Sequence, residues 1–147
     1  MKQLEGSASE PIACNVTILS SDGREVATLL RWDEAPEDSD QVLIRLKSGD
    51  LILEAREQRG YFHALCSLRN QFEARGLLLV CYGAIENVFP SPMIEAMGYG
   101  EKAYELTLGR PALTQDLVSI FDSRDDLIPV TVQRQREFYD KWLRSLK

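Results

Sequence analysis

QVLIRLKSGDLILEAREQRGYFHALCSLRNQFEARG, residues 41–76, holds two hydrophobic periods in succession, and the switch between them sets the fold class. Over 41–47, Val42, Ile44 and Leu46 alternate with Leu43, Arg45 and Lys47, which is the period of two that a strand presents. Ser48-Gly49-Asp50 reads as a turn and 51–56 as the returning strand. Tyr61, Leu65, Leu68 and Phe72 then fall at spacings of four, three and four, a single helical stripe. Gly76 suits the left-handed residue that closes a helix. A strand pair feeding directly into an amphipathic helix points to an α+β domain.

The pattern extends outward on both sides. Upstream, Cys14, Val16 and Ile18 share one face of a strand over Ile12–Ser20, and Asn15, Thr17 and Leu19 share the other. Asp22-Gly23 is a strong hairpin signal, and 25–32 returns from it. Downstream, 77–82 is apolar on both faces and is expected in the middle of the sheet, under the helix. Residues 102–108 alternate again, with Tyr104, Leu106 and Leu108 together, and 117–121 reads as a short edge strand or a buried turn. After Pro129, Thr131 can cap a last helix whose broad face is Gln135, Phe138, Tyr139, Trp142, Leu143 and Leu146. The expectation is an antiparallel sheet of five or more strands with two main helices, 61–75 and 131–146, packed against it as a single two-layer domain. That domain covers 11–147, after a flexible N-terminus over 1–10. No repeat or linker divides it.

Bulk composition narrows the function. The chain has 147 residues, 44% hydrophobic and 27% charged, which is globular and not disordered. Its net charge of -6 repels nucleic acid and anionic membranes on average, and no lysine- and arginine-rich run supplies a local exception. A basic protein partner suits that charge. Cys14, Cys66 and Cys81 are odd in number, widely spaced and set among apolar residues, as expected of reduced, buried thiols. The first ten residues carry no apolar core of a signal peptide, and the longest apolar run, 77–82, is too short to span a bilayer. A cytoplasmic location is expected.

Catalytic and metal signatures are weak. His63 is the single histidine, no cysteine cluster joins it, and no metal site or cofactor is expected. Gly98-Tyr99-Gly100 superficially resembles a phosphate loop but lacks the third glycine and a clear helix after it. His63 and Cys66 are three apart on one helical side, so a nucleophilic pair is sterically conceivable; a helix packed on a sheet commonly carries a cysteine inward and a histidine at its margin. No catalytic residue is assigned.

Two segments stand apart from scaffold. Residues 33–40 hold Asp33, Glu34, Glu37, Asp38 and Asp40 with no base, which favours an exposed loop that either only keeps the chain soluble or steers a basic partner. Residues 83–100, GAIENVFPSPMIEAMGYG, form a long, irregular connection in which Phe89, Met93, Met97 and Tyr99 give an apolar side. That side either seals one end of the core or meets a ligand or partner. The five acids and these four residues are the candidate partner-binding set.

The matches Tyr82-Gly83-Ala84, Phe89-Pro90-Ser91, Met93, Met97-Gly98, Gly100, Lys102-Ala103-Tyr104, Phe121-Asp122 and Gln135 through Leu146 resemble a family of small, largely uncharacterised bacterial cytoplasmic proteins. Some of them look like immunity proteins of toxin systems. Pro92 and Tyr99 stand where that pattern often has glycine. The resemblance implies a protein-binding module acting as a stoichiometric inhibitor of a basic toxin. The alternative is a small enzyme or small-molecule sensor with a pocket beneath 83–100. Homo-oligomerisation through a sheet edge is open to either class.

Overall fold

The alternating segments pair as their turns dictate. In the computed structural model, which describes residues 10–96 and 98–147, β1 (Ile12–Ser20) and β2 (Gly23–Trp32) form an antiparallel hairpin, as do β3 (Val42–Ser48) and β4 (Leu51–Glu57). Gly23 and Gly49 sit at the turns with φ of 124° and 58°, a region that side chains with a Cβ resist. β2 pairs with β3 and β1 with β5 (Leu78–Val80), giving a five-stranded sheet of order β4-β3-β2-β1-β5. The flexible tail expected over 1–10 lies, apart from Glu10, outside the described residues.

Helix α1 (Tyr61–Glu73) lies across the face formed by Val16, Ile18, Ala27, Leu29, Ile44, Leu46 and Leu53. Its stripe residues Tyr61, Leu65, Leu68 and Phe72 are all fully buried. Each leucine or phenylalanine so covered contributes about 1.5–3 kcal/mol relative to exposure. Gly76 takes φ 75°, its N–H donates to Glu73 O, and Leu77 N–H donates to Phe72 O. That paired closure ends the helix as expected.

Two expectations are corrected. The apolar stretch 77–82 supplies an edge strand, β5, and not a central one. Its outer side is sealed by a later segment: Ser123 Oγ donates to Val80 O at 2.7 Å and Tyr82 N to Asp122 O at 2.9 Å. Burial of a strand therefore does not require another strand beside it. Secondly, 102–108 is not one long strand of the main sheet. β7 (Lys102–Glu105) sits between β6 (Val88–Phe89) and β8 (Leu117–Ser119) in a separate three-stranded sheet. The strand stops because Leu106 is clamped by Asn87 and the chain turns at Gly109, φ 82°. The last helix, α3 (Val132–Ser145), packs chiefly on β6 and α1. Thr131 Oγ1 accepts from Arg134 N at 3.1 Å, so the cap is where the sequence placed it. Gln135 and Trp142 are buried, while Leu143 and Leu146 remain exposed, so the covered face is narrower than expected.

Candidate functional site

The acidic loop is anchored from beneath. Trp32, Ala35 and Leu43 make a small apolar cluster on the sheet face opposite α1, and the Arg45 guanidinium lies 5.0 Å from the Trp32 ring centre. Ala35 N–H donates to Gln41 O, Asp38 N–H to Ala35 O and Gln41 N–H to Asp38 O, which folds the loop tightly over that cluster. Its carboxylates are then unequal. Asp33 accepts the Tyr61 hydroxyl at 2.7 Å, Glu37 pairs with Arg56 at 2.6 Å, and Asp38 accepts the Asp40 amide at 3.0 Å. The side chains of Glu34 and Asp40 hydrogen-bond to no described group, and both residues are exposed.

The irregular segment 83–100 folds into short elements: a 3₁₀ turn at Tyr82–Ala84, β6, and the helical turn α2 (Pro92–Ala96). Ser91 Oγ accepts from Ile94 N, and the Glu95 carboxylate lies against His63 Nε2 of α1. The Gly98-Tyr99-Gly100 turn then docks on the start of α1. Tyr99 O accepts from Tyr61 N at 2.8 Å, and Gly98 and Gly100 bracket it with φ of 60° and 74°. Gly60 makes the approach feasible, because a Cβ there would lie 2.7 Å from Tyr99 O.

This docking brings the two candidate segments together. Asp33 and Asp40 from the acidic loop, Arg59 and Gly60 before α1, and Glu95 and Tyr99 from the later segment line one open cleft of about 290 Å³. Three carboxylates face one guanidinium, and Arg59 already contacts Glu57 at 3.4 Å. On the other side of Tyr99 is a second groove, about 400 Å³, lined by Ile94, Gly98, Tyr99, Glu101, Lys102 and Leu117.

Between these depressions and the sheet lies a paired polar seam. Arg31 reaches Glu101 at 2.8 Å and rests against the edge-on pair of Tyr61 and Phe121 rings, 5.3 and 5.2 Å from their centres. Burial alone would lower the Arg31 pKa, but the hydrogen bond and charge of Glu101 outweigh it and raise the value. Burial, then the bond to Asp33, holds the Tyr61 phenol protonated well above its ordinary range.

The expected apolar contacts divide. Met93 is 69% exposed and Tyr99 40%, so both are open to a partner. Phe89 is 8% exposed; its ring stacks on Tyr139 at 4.0 Å and meets Phe62 edge-on, which makes it a core residue. Met97 lies outside the described residues. The loop acids likewise divide into Asp33, Glu37 and Asp38, engaged within the fold, and Glu34 and Asp40, directed outward.

A buried polar clasp was not anticipated. Arg69 is 2% exposed; it donates to Gly83 O and Gln135 Oε1 through Nη1 and to Val130 O through Nη2. Gln135 Nε2 contacts the carbonyls of Gly83, Ile85 and Val88. The clasp ties α1, the 3₁₀ turn and α3 together. Gly83 is forced to be bare, since a Cβ would lie 2.5 Å from Leu65 Cδ2 and 2.9 Å from Ile120 Cβ. Arg69 falls four residues after Leu65, so the helical period already placed it on the covered side. Burial lowers the Arg69 pKa, countered in part by neighbouring Cys66 and Cys81.

The thiols are quiet. Cys14, Cys66 and Cys81 are free; burial raises the pKa of each and pushes Cys81 up to about 11. The charge of Arg69 partly offsets the effect of burial at Cys66, and His63 contacts Glu95, so the two do not form a nucleophile–base pair. Among the described residues, no three or more His, Cys, Asp and Glu side chains converge as metal ligands, and no helix is long and apolar enough to cross a membrane. No protein-family model and no curated protein matches the chain.

Proposed function

We propose that this protein is a cytoplasmic binding module, an immunity-type stoichiometric inhibitor that occludes the working surface of a basic toxin domain. The observation that carries the reading is the shared cleft: the acidic loop and the Tyr99 turn, far apart in sequence, line one negatively charged depression with an exposed aromatic on its wall. Asp40 at its loop side supplies charge that the fold does not consume, and Glu34 adds an exposed carboxylate elsewhere on the same loop. Such rim charges speed the encounter with a positive surface, and Tyr99 and Met93 supply apolar area that a partner can desolvate. Inhibition by occlusion needs no cofactor and no catalytic group.

Affinity capture from the native host, with the product of the adjacent gene included, should return a one-to-one complex with a basic protein. Its association rate should fall with added salt, and fall again in the Glu34→Gln/Asp40→Asn double variant. A neutral or acidic partner, or association at the wild-type rate in the double variant at low salt, would overturn the reading.

A further inference from the structure

The groove on the far side of Tyr99 differs in chemistry from the acidic cleft. Its body is apolar, formed by Ile94, Tyr99 and Leu117. Gly98 leaves its stretch of wall bare, with nothing within 4 Å of where a Cβ would be. Of the two charged residues on the lining, Glu101 is neutralised by Arg31 at 2.8 Å, and Arg31 is itself packed against the Tyr61 and Phe121 rings. Lys102 makes no ion pair with a described group and is exposed, so the uncompensated charge at this groove is positive on a chain whose net charge is -6. Its cross-strand partner is Ser119, whose hydroxyl lies within a side chain's reach on the same face. The volume, about 400 Å³, falls within the usual 300–1,000 Å³ of small-molecule sites.

We infer that this groove binds a small amphiphilic anion, with an aromatic or aliphatic body against Ile94, Tyr99 and Leu117 and a carboxylate or similar acid group held by Lys102. Apolar burial supplies the affinity, and the ammonium selects anionic ligands over neutral ones of the same shape. A cation is disfavoured, in contrast to the cleft across Tyr99.

The test uses two probes of like shape on the intact chain: 1-anilinonaphthalene-8-sulfonate, an anion, and N-phenyl-1-naphthylamine, which is neutral. The anion should bind saturably at one site, with decanoate displacing it, and amide NMR shifts should centre on residues 94, 98–102 and 117. Lys102→Glu, at an exposed strand position, should weaken the anion about tenfold and the neutral probe less than about twofold, on the scale of a lost charge-assisted contact. Leu117→Gln should weaken both probes, and a thermal melt of each variant confirms folding. Absence of saturable binding, shifts centred elsewhere, or equal loss of both probes in Lys102→Glu would overturn the inference. None of these outcomes touches Glu34 or Asp40, so the proposed partner cleft stands or falls separately.

Discussion

Around Arg69 each donor and acceptor meets another inside the protein; around Tyr99 several face outward with none. The first region is built from a guanidinium and an amide at 2% and 1% exposure, and every contact they make returns to this chain. The second places Asp40 and Tyr99 along an open cleft, held in position by groups such as Gly60, Tyr61 and His63 that are themselves committed. Among the described residues no buried side-chain nitrogen or oxygen lacks a partner. Polar groups that are fully used specify architecture. Polar groups that are held but not used are free to recognise something else.

The comparison would break if changes at the clasp altered binding, or changes at the rim altered stability. The largest expected effect is at Trp142, which is 8% exposed, closes the α3 side and donates to Arg110 O at 2.9 Å. Trp142→Ala should cost about 3–5 kcal/mol in denaturant melts; an unchanged midpoint and slope would make α3 a detachable tail. Arg69→Met should cost about 2–4 kcal/mol, because Val130 O and Gln135 Oε1 lose their donor in a dry site. Gln135 still serves Gly83 O, which limits the loss.

A smaller effect separates the thiols from the surface. Cys81 ionises near 9.0 when exposed and at about 11 in the fold, so the unfolded chain gives up its proton first. The stability this group contributes is whole below about pH 9 and is lost as pH rises toward about 11. Melts across that window should show a steeper decline for the wild type than for Cys81→Ala. Thiol reagents at neutral pH should label Cys14 and Cys66, which are half-buried, before Cys81. The smallest stability effect belongs to Glu34→Gln/Asp40→Asn, within about 0.5 kcal/mol, since neither side chain bonds to a described group. The same double variant should nevertheless slow association with a basic partner.

The strands β1 to β4 and helix α1 were legible because each is a local pattern closed by a local turn. The edge position of β5 and the separate small sheet were not, since both depend on pairing with segments tens of residues away, 120–123 and 117–119. The candidate site shows the same division. Asp40 and Glu34 were legible only as two of five acids in a base-free segment, and Tyr99 only as one of four residues whose apolar side either seals the core or meets a partner. The meeting of Asp40 and Tyr99 across one cleft follows from the docking of Tyr99 O on Tyr61 N–H, a contact that no periodicity encodes. Phe89 misled because apolar residues in an irregular segment look alike whether they face inward or outward.

That docking contact also provides a clock. Helix α1 has no side-chain cap, and the Tyr99 carbonyl occupies the Tyr61 amide in its place. Exchange of the Tyr61 amide hydrogen with solvent therefore requires the Gly98–Gly100 turn to lift or α1 to fray. A single backbone proton reports how often the wall shared by the two depressions comes away, and anything that seats against that wall should slow its exchange.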